Sequence, residues 1–374
     1  MVDACMLLLR RLLLIVFCAL AGCQTHDPVY RPVATEDFDR TLASWRKTRG
    51  GHDIQPLSKQ QIIEAAENML LMQRADGGWP QSTHPLRHLN PDERERFLAN
   101  KNRRDSNFRH HNGFPQVFYL SHVYLQTGDV RYRNSAREGI KWVVASQFYN
   151  GGWPREPSTG QQVIDTRVTL EALIFLRKIA AGKMPYGYIP YDARRKVAEA
   201  VRKGDEWLLR VQQAHDGRKA VWARAYDLQT SEPLAHEGVE VPAMDAVLGV
   251  DIVRYLMAIE RPPAAVVQAV EGAVEWYRHY SLQQWQVRES SDKQTLPARS
   301  RTFLSGPNVW SRYYDTHQYQ PLSNNASELT LEARDWFAGK SNTAWYGKWA
   351  TKLLREDYPR WRKKNVPEPI TTNL

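Results

Sequence analysis

Cysteine is scarce in this 374-residue chain, and the positions of the few cysteines limit the chemistry that the chain can perform. The three cysteines, Cys5, Cys18 and Cys23, all lie within the first 23 residues. The remaining residues therefore offer no thiol for nucleophilic catalysis, for a zinc–thiolate site or for an internal disulfide. Stability must come from a hydrophobic core, and about 300 residues are enough to build one.

Long hydrophobic runs are also scarce, and the clearest one lies near the start. Residues 12–21 are apolar and follow Arg10 and Arg11, but they are too few to span a bilayer comfortably. The sequence Leu-Ala-Gly before Cys23 has the pattern of a bacterial lipoprotein signal. We therefore expect cleavage of residues 1–22 and lipidation of Cys23. The alternative is a plain secretory signal with an incidental cysteine.

The residue after Cys23 bears on localisation. Gln24 stands where an aspartate would favour retention in the inner membrane, so resemblance to Gram-negative lipoproteins implies an outer-membrane anchor. We expect an exported, lipid-anchored protein that faces the periplasm or the cell surface, and we expect a monomer.

Positive charge exceeds negative charge, with 51 Lys and Arg against 41 Asp and Glu, a formal net charge of +10. Such an excess favours an anionic partner or surface. Acidic polysaccharide and anionic lipid headgroups both fit an exported protein. The chain carries no nucleic-acid-binding motif, so we do not expect a nucleic-acid partner. A basic surface with no specific ligand is the simpler alternative.

One motif occurs twice: a helical pattern runs into Gln, three further residues and Gly-Gly-Trp-Pro. The first copy ends at Gln73 and 77–80, and the second at Gln147 and 151–154. Glycine supplies the backbone conformations that end a helix, and proline prevents its continuation. Tryptophan can then fold back over the helix end. Repeats of this kind predict stacked antiparallel helix pairs, as in a solenoid or a closed toroid.

The periodicity predicts one all-α domain with long loops and minor short strands. The expected division is a signal peptide at 1–22, a tether and N-terminal extension at 23–55, the domain at 56–363 and a tail at 364–374. Helices are expected over 62–72, 91–100, 116–125, 130–146, 166–179, 192–213, 245–260, 263–277 and 343–361. Short strands could form within 219–226 and 308–314.

Two loop segments resemble each other and suggest a binding function. The first contains Trp222, Arg224, Tyr226 and Asp227, and the second contains Trp310, Arg312, Tyr314 and Asp315. Aromatic faces suit sugar rings, and the arginine fork matches a carboxylate. We predict that Trp222, Arg224, Tyr226, Trp310, Arg312 and Tyr314 line a groove for an acidic saccharide. The alternative is an Arg–Asp pair with aromatic packing that only fixes a loop.

From about residue 62 to residue 361, the chain resembles the family-ten pectate lyases, the pectic acid lyases. The matching pieces include the doubled Gly-Gly-Trp-Pro, 127–132, 222–227, 250–257, 266–276, 309–315 and 344–349. The resemblance implies an incomplete (α/α)₃ toroid with a groove across its top. It also implies calcium-assisted β-elimination of polygalacturonate.

The residues that carry the family's chemistry differ here. The resemblance places Asn325 where the family has its catalytic arginine, and asparagine cannot take a proton from carbon. The family's acidic stretches for substrate and calcium correspond to residues 109–113 and 166–170, which are mostly basic or apolar here and disfavour calcium. Glu237 appears in place of an arginine in the central loop.

Three interpretations remain open. In the first, an altered lyase uses Arg109 or Arg312 as the carboxylate clamp and His110 or His111 as the base. In the second, the toroid binds uronates or another surface polymer without cleaving them. The third is a terpene-cyclase barrel, but the acidic Asp-x-Asp-Asp motif that it needs is missing. His84, His88, His236 and His317 are interpreted as surface or loop-fixing groups.

Overall fold

The computed structural model describes residues 29–49, 56–81, 83–215, 217–236, 239–282, 308–322 and 346–366. Its α-helices are α1 Asp39–Arg49, α2 Ile62–Met72, α3 Pro91–Ala99, α4 Phe114–Thr127, α5 Val130–Ala145, α6 Thr166–Ala180, α7 Tyr191–Val211, α8 Ala246–Met257, α9 Ala264–His279 and α10 Tyr358–Asn365. Short 3₁₀ turns and one π-helical turn at Leu353–Asp357 lie between them. The helices predicted from 62–72 through 263–277 are present, with ends that differ by a few residues. The last predicted helix, 343–361, is partly wrong, because Tyr346–Gly347 form a strand.

The strands are short and lie beside the helices. They are β1 Val163–Asp165, β2 Ala214–His215, β3 Arg218–Lys219, β4 Ala225–Asp227, β5 Pro233–Leu234, β6 Ala243–Asp245, β7 Trp310–Ser311, β8 Tyr313–Asp315 and β9 Tyr346–Gly347. Antiparallel pairing joins β1 to β4, β4 to β5, β2 to β3, β6 to β8 and β7 to β9. The pairs β1–β4 and β6–β8 lead directly into α6 and α8.

Successive helices pack as antiparallel pairs, α4 with α5, α6 with α7 and α8 with α9. Helices α4, α6 and α8 form the inner layer, and α2, α5, α7 and α9 form the outer layer. The inner helices bury residues on most of their faces, whereas the outer α7 keeps a charged face in solvent. The fold is therefore an incomplete (α/α) toroid of antiparallel helix pairs, as predicted.

A glutamine at the end of an outer helix ties that end to the next outer helix. The Gln73 amide donates to the carbonyl oxygens of Gly77 (2.8 Å) and Ser135 (3.0 Å), so it joins α2 to α5. Gln147 makes the same pair of bonds from α5 to α7, and Gln212 makes them from α7 to α9. The three glutamines thus connect the outer layer in sequence order.

A tryptophan after each of these turns closes the helix end. The indole N–H groups of Trp79, Trp153, Trp222 and Trp310 donate to the carbonyl oxygens of Met69, Val143, Leu208 and Tyr277, at 2.7 to 2.9 Å. All four rings are fully buried. The indole closure predicted from the doubled Gly-Gly-Trp-Pro is therefore used four times, and the glutamine bonds accompany it at the first three of these helix ends.

Glycine is required where the turn meets the next outer helix. Gly77 has φ +95° and Gly151 has φ +107°. A Cβ atom on Gly77 would lie 2.5 Å from the Glu138 carbonyl oxygen, and one on Gly151 would lie 2.2 Å from that of Lys203. Both the conformation and the contact exclude a side chain at these positions.

The N-terminal extension is more structured than the sequence suggests. Residues 36–49 form a 3₁₀ turn and α1, and Phe38 is fully buried in the main core. Trp45 is 8% exposed. The expectation of a polar tether is wrong for this part, because two aromatic anchors suffice to dock a short helix with little periodicity. Helix α10 also continues to Asn365, past the expected boundary at 363.

Several predictions fall outside the described residues. These are the signal peptide 1–22, the lipidated Cys23, Glu237, Asn325 and most of the tail 364–374, together with residues 343–345 of the last predicted helix. Within the described part of the chain, no helix is both long and apolar enough to cross a membrane.

The indole hydrogen bond of the repeated turn can be tested by a matched pair of variants. Trp153 and Trp207 are both fully buried, but only the Trp153 N–H has a hydrogen-bond partner. We expect Trp153→Phe to lower the free energy of unfolding by about 1–3 kcal/mol more than Trp207→Phe, because it leaves the Val143 carbonyl unsatisfied. Urea denaturation of both variants measures the difference; equal losses would contradict the assignment.

Candidate functional site

A basic groove lies at the N-terminal end of α6. Its cavity has a volume of about 310 Å³, near the lower end of the range for ligand sites. The lining residues are Arg40, Phe108, Arg109, His110, His111, Arg155, Asp165, Arg167, Val168, Glu171, Arg224, His236, Arg312 and Tyr313. The groove thus combines six arginines and three histidines with two carboxylates.

Two equivalent strand-to-helix junctions place the central arginines. Asp165 caps α6 through the Val168 N–H, and Asp245 caps α8 through the Leu248 N–H. The N–H of Thr166, the first residue of α6, donates to the carbonyl oxygen of Arg224 (3.0 Å). The N–H of Ala246, the first residue of α8, donates to that of Arg312 (2.8 Å). Arg224 and Arg312 therefore occupy corresponding positions in consecutive repeats and open onto the same cavity.

Most of these arginines are neutralised locally. Arg40 pairs with Glu171, Arg155 with Asp165 and Arg167 with Asp251, at 2.6 to 2.7 Å. Arg109 also pairs with Glu156. Arg224 lies between two buried carboxylates, 3.8 Å from Asp165 and 3.5 Å from Asp245. These pairs hold the side chains in place.

Arg312 differs from the other five. Its guanidinium carbon lies 5.5 Å from the centre of the Tyr313 ring, and Tyr313 is also its side-chain hydrogen-bond partner. Among the residues that the structure describes, no carboxylate lies within ion-pair distance of Arg312, and its buried Nε has no hydrogen-bond partner. Arg312 is thus the groove arginine best placed to receive a ligand carboxylate.

His111 is oriented by a buried carboxylate. Its Nδ1 lies 2.8 Å from Glu171 Oε2, while Arg40 binds Glu171 Oε1. Burial alone would raise the pKa of Glu171, but the hydrogen bond and charge of His111 and the charge of Arg40 outweigh it and lower that pKa. Donation from Nδ1 to the carboxylate leaves Nε2 as the acceptor nitrogen of His111.

The backbone at this point adopts an uncommon conformation. His110 has φ +55° and His111 has φ +69°, both in the left-handed region that non-glycine residues seldom adopt. The Asn112 side chain supports the segment, because its amide donates to the carbonyl oxygens of Trp79 (2.7 Å) and Asn107 (3.0 Å). Consecutive residues of this kind concentrate at functional sites.

His236 also enters the groove, although the sequence suggests only a loop-fixing group. Its ring lies 5.3 Å from the Tyr313 ring, and neither ring nitrogen has a hydrogen-bond partner among the described residues. Burial and then the charge of Arg224 lower the pKa of His236 to about 4. The imidazole is therefore neutral near pH 7.

The prediction for the four aromatic groove residues is wrong. Trp222, Tyr226, Trp310 and Tyr314 are fully buried. The two tryptophans close helix ends, and the tyrosine hydroxyls donate to the carbonyl oxygens of Val211 (2.8 Å) and Tyr280 (2.7 Å). Their polar atoms are thus committed to the scaffold, and none of the four rings lines the groove.

The charged candidates, in contrast, are brought together. Arg109, His110, His111, Arg224 and Arg312 all line the cavity, although their distribution along the sequence does not reveal this. Arg40, Arg155, Arg167, Glu171 and His236 were not predicted. The only sequence signal for these two caps is an aspartate directly before α6 and α8, at Asp165 and Asp245. The functions of the lining residues remain predictions.

The groove carboxylates do not fit the calcium ion that the resemblance implies. Calcium takes six to eight oxygen ligands. Here the oxygens of Asp165, Asp245 and Glu171 already face helix N–H groups, arginines or His111. Within the described residues, no group of three His, Cys, Asp or Glu side chains could hold a metal. The described residues of the groove therefore offer no set of free carboxylate oxygens for a calcium ion.

The neutral state of His236 predicts a pH dependence of stability. The unfolded imidazole, with an ordinary pKa of 6.5, takes up a proton before the folded one, whose pKa is about 4. The contribution of His236 to the free energy of unfolding is therefore fully present above pH 6.5, and it is lost as the pH falls from 6.5 towards 4. We expect His236→Gln to reduce the loss of unfolding free energy between pH 7 and pH 4.5, measured by urea denaturation. His317→Gln, at an exposed position, is the control; an unchanged slope in His236→Gln would contradict the prediction.

Comparison with known proteins agrees with the toroid fold. The model of the pectic acid lyase family matches residues 73–354. A mutant family 10 polysaccharide lyase from Cellvibrio cellulosa, solved with trigalacturonic acid, is 18% identical with a TM-score of 0.61, covering 90% of this chain and 100% of that one. The family 10 polysaccharide lyase from the same organism is 17% identical with a TM-score of 0.59, covering 90% and 99%. These likenesses establish the fold alone, and no curated protein matches the chain. Because the family model spans most of its length, the chain belongs to the pectic acid lyase family.

Proposed function

We propose that this protein binds acidic, uronate-containing polysaccharide in the basic groove and, where it is catalytic, cleaves it by β-elimination. The observation that carries the proposal is Arg312, a groove arginine without a carboxylate partner among the described residues, next to five arginines that are already paired. A related lyase was solved with trigalacturonic acid, which supports the same ligand class.

The β-elimination needs two functions that the groove can supply. A base removes the proton at C5 of the uronate while a cation neutralises the adjacent carboxylate; the C4–O4 bond then breaks, a C4=C5 double bond forms and the leaving oxygen takes a proton. In our proposal Arg312 binds the carboxylate, and His111, oriented by Glu171, accepts the C5 proton. Arg109 and His110 lie beside them in the same cavity.

A non-catalytic uronate-binding toroid is the second candidate. It is favoured by Asn325, which stands where the family has its catalytic arginine and lies outside the described residues. The poor fit of the groove to calcium points the same way. Both candidates share the same binding site, so binding and cleavage must be measured separately.

The cellular setting is part of the proposal. We propose that Cys23 carries the lipid and anchors a monomer in the outer membrane, and that the net charge of +10 attracts acidic polymer to it. Globomycin, which blocks lipoprotein signal cleavage, should then cause the precursor to accumulate, and Cys23→Ser should release the protein from the membrane fraction. A membrane-bound Cys23→Ser protein would contradict lipidation.

Binding is tested by calorimetry of the mature protein with trigalacturonic acid. We expect Arg312→Gln to weaken binding about tenfold or more, because it removes a charge-assisted contact worth about 1.5–3 kcal/mol. Arg104→Gln is the matched control, since Arg104 is exposed and does not line the groove. Equal affinities for wild type and Arg312→Gln would rule out the clamp.

Catalysis is tested by the absorbance of unsaturated product from polygalacturonate, alginate and other uronans. If the protein is a lyase, we expect His111→Gln to lower kcat by about 10²–10⁴, the usual contribution of a general base. We expect activity to persist with a calcium chelator. Binding without product from any uronan would select the non-catalytic candidate, and neither binding nor product would overturn both.

A further inference from the structure

A second basic cavity lies on another part of the molecule, beside α1 and α3. Its volume is about 300 Å³, and its lining includes Trp45, Arg74, His84, Arg87, Arg96 and Arg103. It shares no lining residue with the groove. The family model begins at residue 73, so the α1 side of this cavity lies outside the matched region.

Positive charge exceeds negative charge around this cavity. Arg74 and Arg103 share Asp105, and Arg87 pairs with Glu93. Arg96 has no ion-pair partner among the residues that the structure describes. Four arginines therefore face two carboxylates, and one of these carboxylates has to serve two guanidinium groups.

Buried polar atoms next to the cavity lack partners. Arg74 is 7% exposed and His84 is 3% exposed, so both side chains are more than nine-tenths buried. Arg74 Nη1 and His84 Nδ1 nevertheless have no hydrogen-bond partner, and neither has Arg87 Nε. Unsatisfied buried groups are costly and uncommon, so three beside one cavity suggest a missing partner.

The His84 ring reports the local potential. Burial, followed by the charges of Arg87 and Arg46, lowers the pKa of His84 to about 4. Burial disfavours any charge on this ring, whereas the two arginine charges, the smaller causes, disfavour a cation specifically and are the part of the shift that would suit an anion. The Trp45 ring packs against the His84 ring, with 5.1 Å between the ring centres, and the Arg87 guanidinium carbon lies 5.4 Å from the Trp45 ring centre. These two neighbours therefore already occupy part of the Trp45 ring surface. This arrangement suits a compact anion better than a stacked sugar ring.

We propose that this cavity is a second binding site, specific for a compact oxyanion. The arginines would supply charge-assisted hydrogen bonds, and the orphaned nitrogens would gain an acceptor. Two sources offer this chemistry, a free inorganic oxyanion and the carboxylate of a uronate. Either source makes the N-terminal helix α1, through Trp45, part of a binding site.

The test uses isothermal titration calorimetry of the mature protein with sodium phosphate and, separately, with galacturonic acid. We expect saturable binding of at least one of them, weakened about tenfold or more by Arg96→Gln, since one charge-assisted contact is worth about 1.5–3 kcal/mol. Arg94→Gln is the matched control, because Arg94 lies on the same helix α3 and does not line the cavity. Arg96 is exposed, so its replacement should leave the fold intact.

The outcomes separate this proposal from the groove. Phosphate binding alone would identify a free anion as the source, and galacturonate binding that survives Arg312→Gln would identify the uronate. His84→Gln provides a second test at the buried end, and its folding is checked by thermal denaturation. The proposal is overturned if neither anion binds, or if Arg96→Gln and folded His84→Gln bind as tightly as wild type.

Discussion

The structure depends on the way each outer helix ends. A helix terminus leaves carbonyl groups with few intrahelical partners, and here an indole N–H donates to a carbonyl oxygen in the last turn of the outer helix in four successive repeats. In three of these repeats a glutamine amide donates to a carbonyl oxygen of the turn and to one on the next outer helix. One local solution therefore fixes both the end of a helix and the position of its neighbour, and repetition of this solution curves the layer into a toroid.

The repeated junctions also determine where the charged groups lie. Each inner helix α6 and α8 begins at a capping aspartate, and the strand paired with that junction delivers an arginine to its N-terminus. Arg224 fills this position between two carboxylates. At the corresponding position of the next repeat, Arg312 rests on Tyr313, and no carboxylate of the described residues takes this place. The proposed binding role of Arg312 rests on this asymmetry between equivalent positions.

The sequence predicts the scaffold better than the site. Helical periodicity and the doubled Gly-Gly-Trp-Pro are local signals, so the helices and their antiparallel pairing follow from them, whereas the choice of an incomplete toroid came from the resemblance to the pectate lyases. The prediction was wrong for Trp222 and Trp310 because the carbonyl groups that they bind lie 14 and 33 residues away in the sequence. For Trp79 and Trp153 this separation is 10 residues. A tryptophan beside arginine and aspartate describes a sugar-binding loop and a helix-end closure equally well.

The unpredicted residues share a physical cause. Glu171 binds Arg40 across 131 residues and His111 across 60, and no pattern in the sequence encodes such contacts. His236 looks like any loop histidine until its neighbours are known. Charged side chains at helix ends and in loops acquire their function from tertiary neighbours, so composition could predict a basic binding surface but not its partners.

The pairing of charges in the groove also determines which ion it can accept. A cation such as calcium would have to compete with arginine or His111 for Asp165, Asp245 and Glu171. Breaking a buried ion pair costs about 3–5 kcal/mol when it leaves an uncompensated charge. In the proposed function, a uronate carboxylate would meet no such cost at Arg312, which has no carboxylate partner among the described residues. The pairing that leaves few carboxylate oxygens for a divalent cation would then suit an acidic sugar, and the protein itself would supply the neutralising charge.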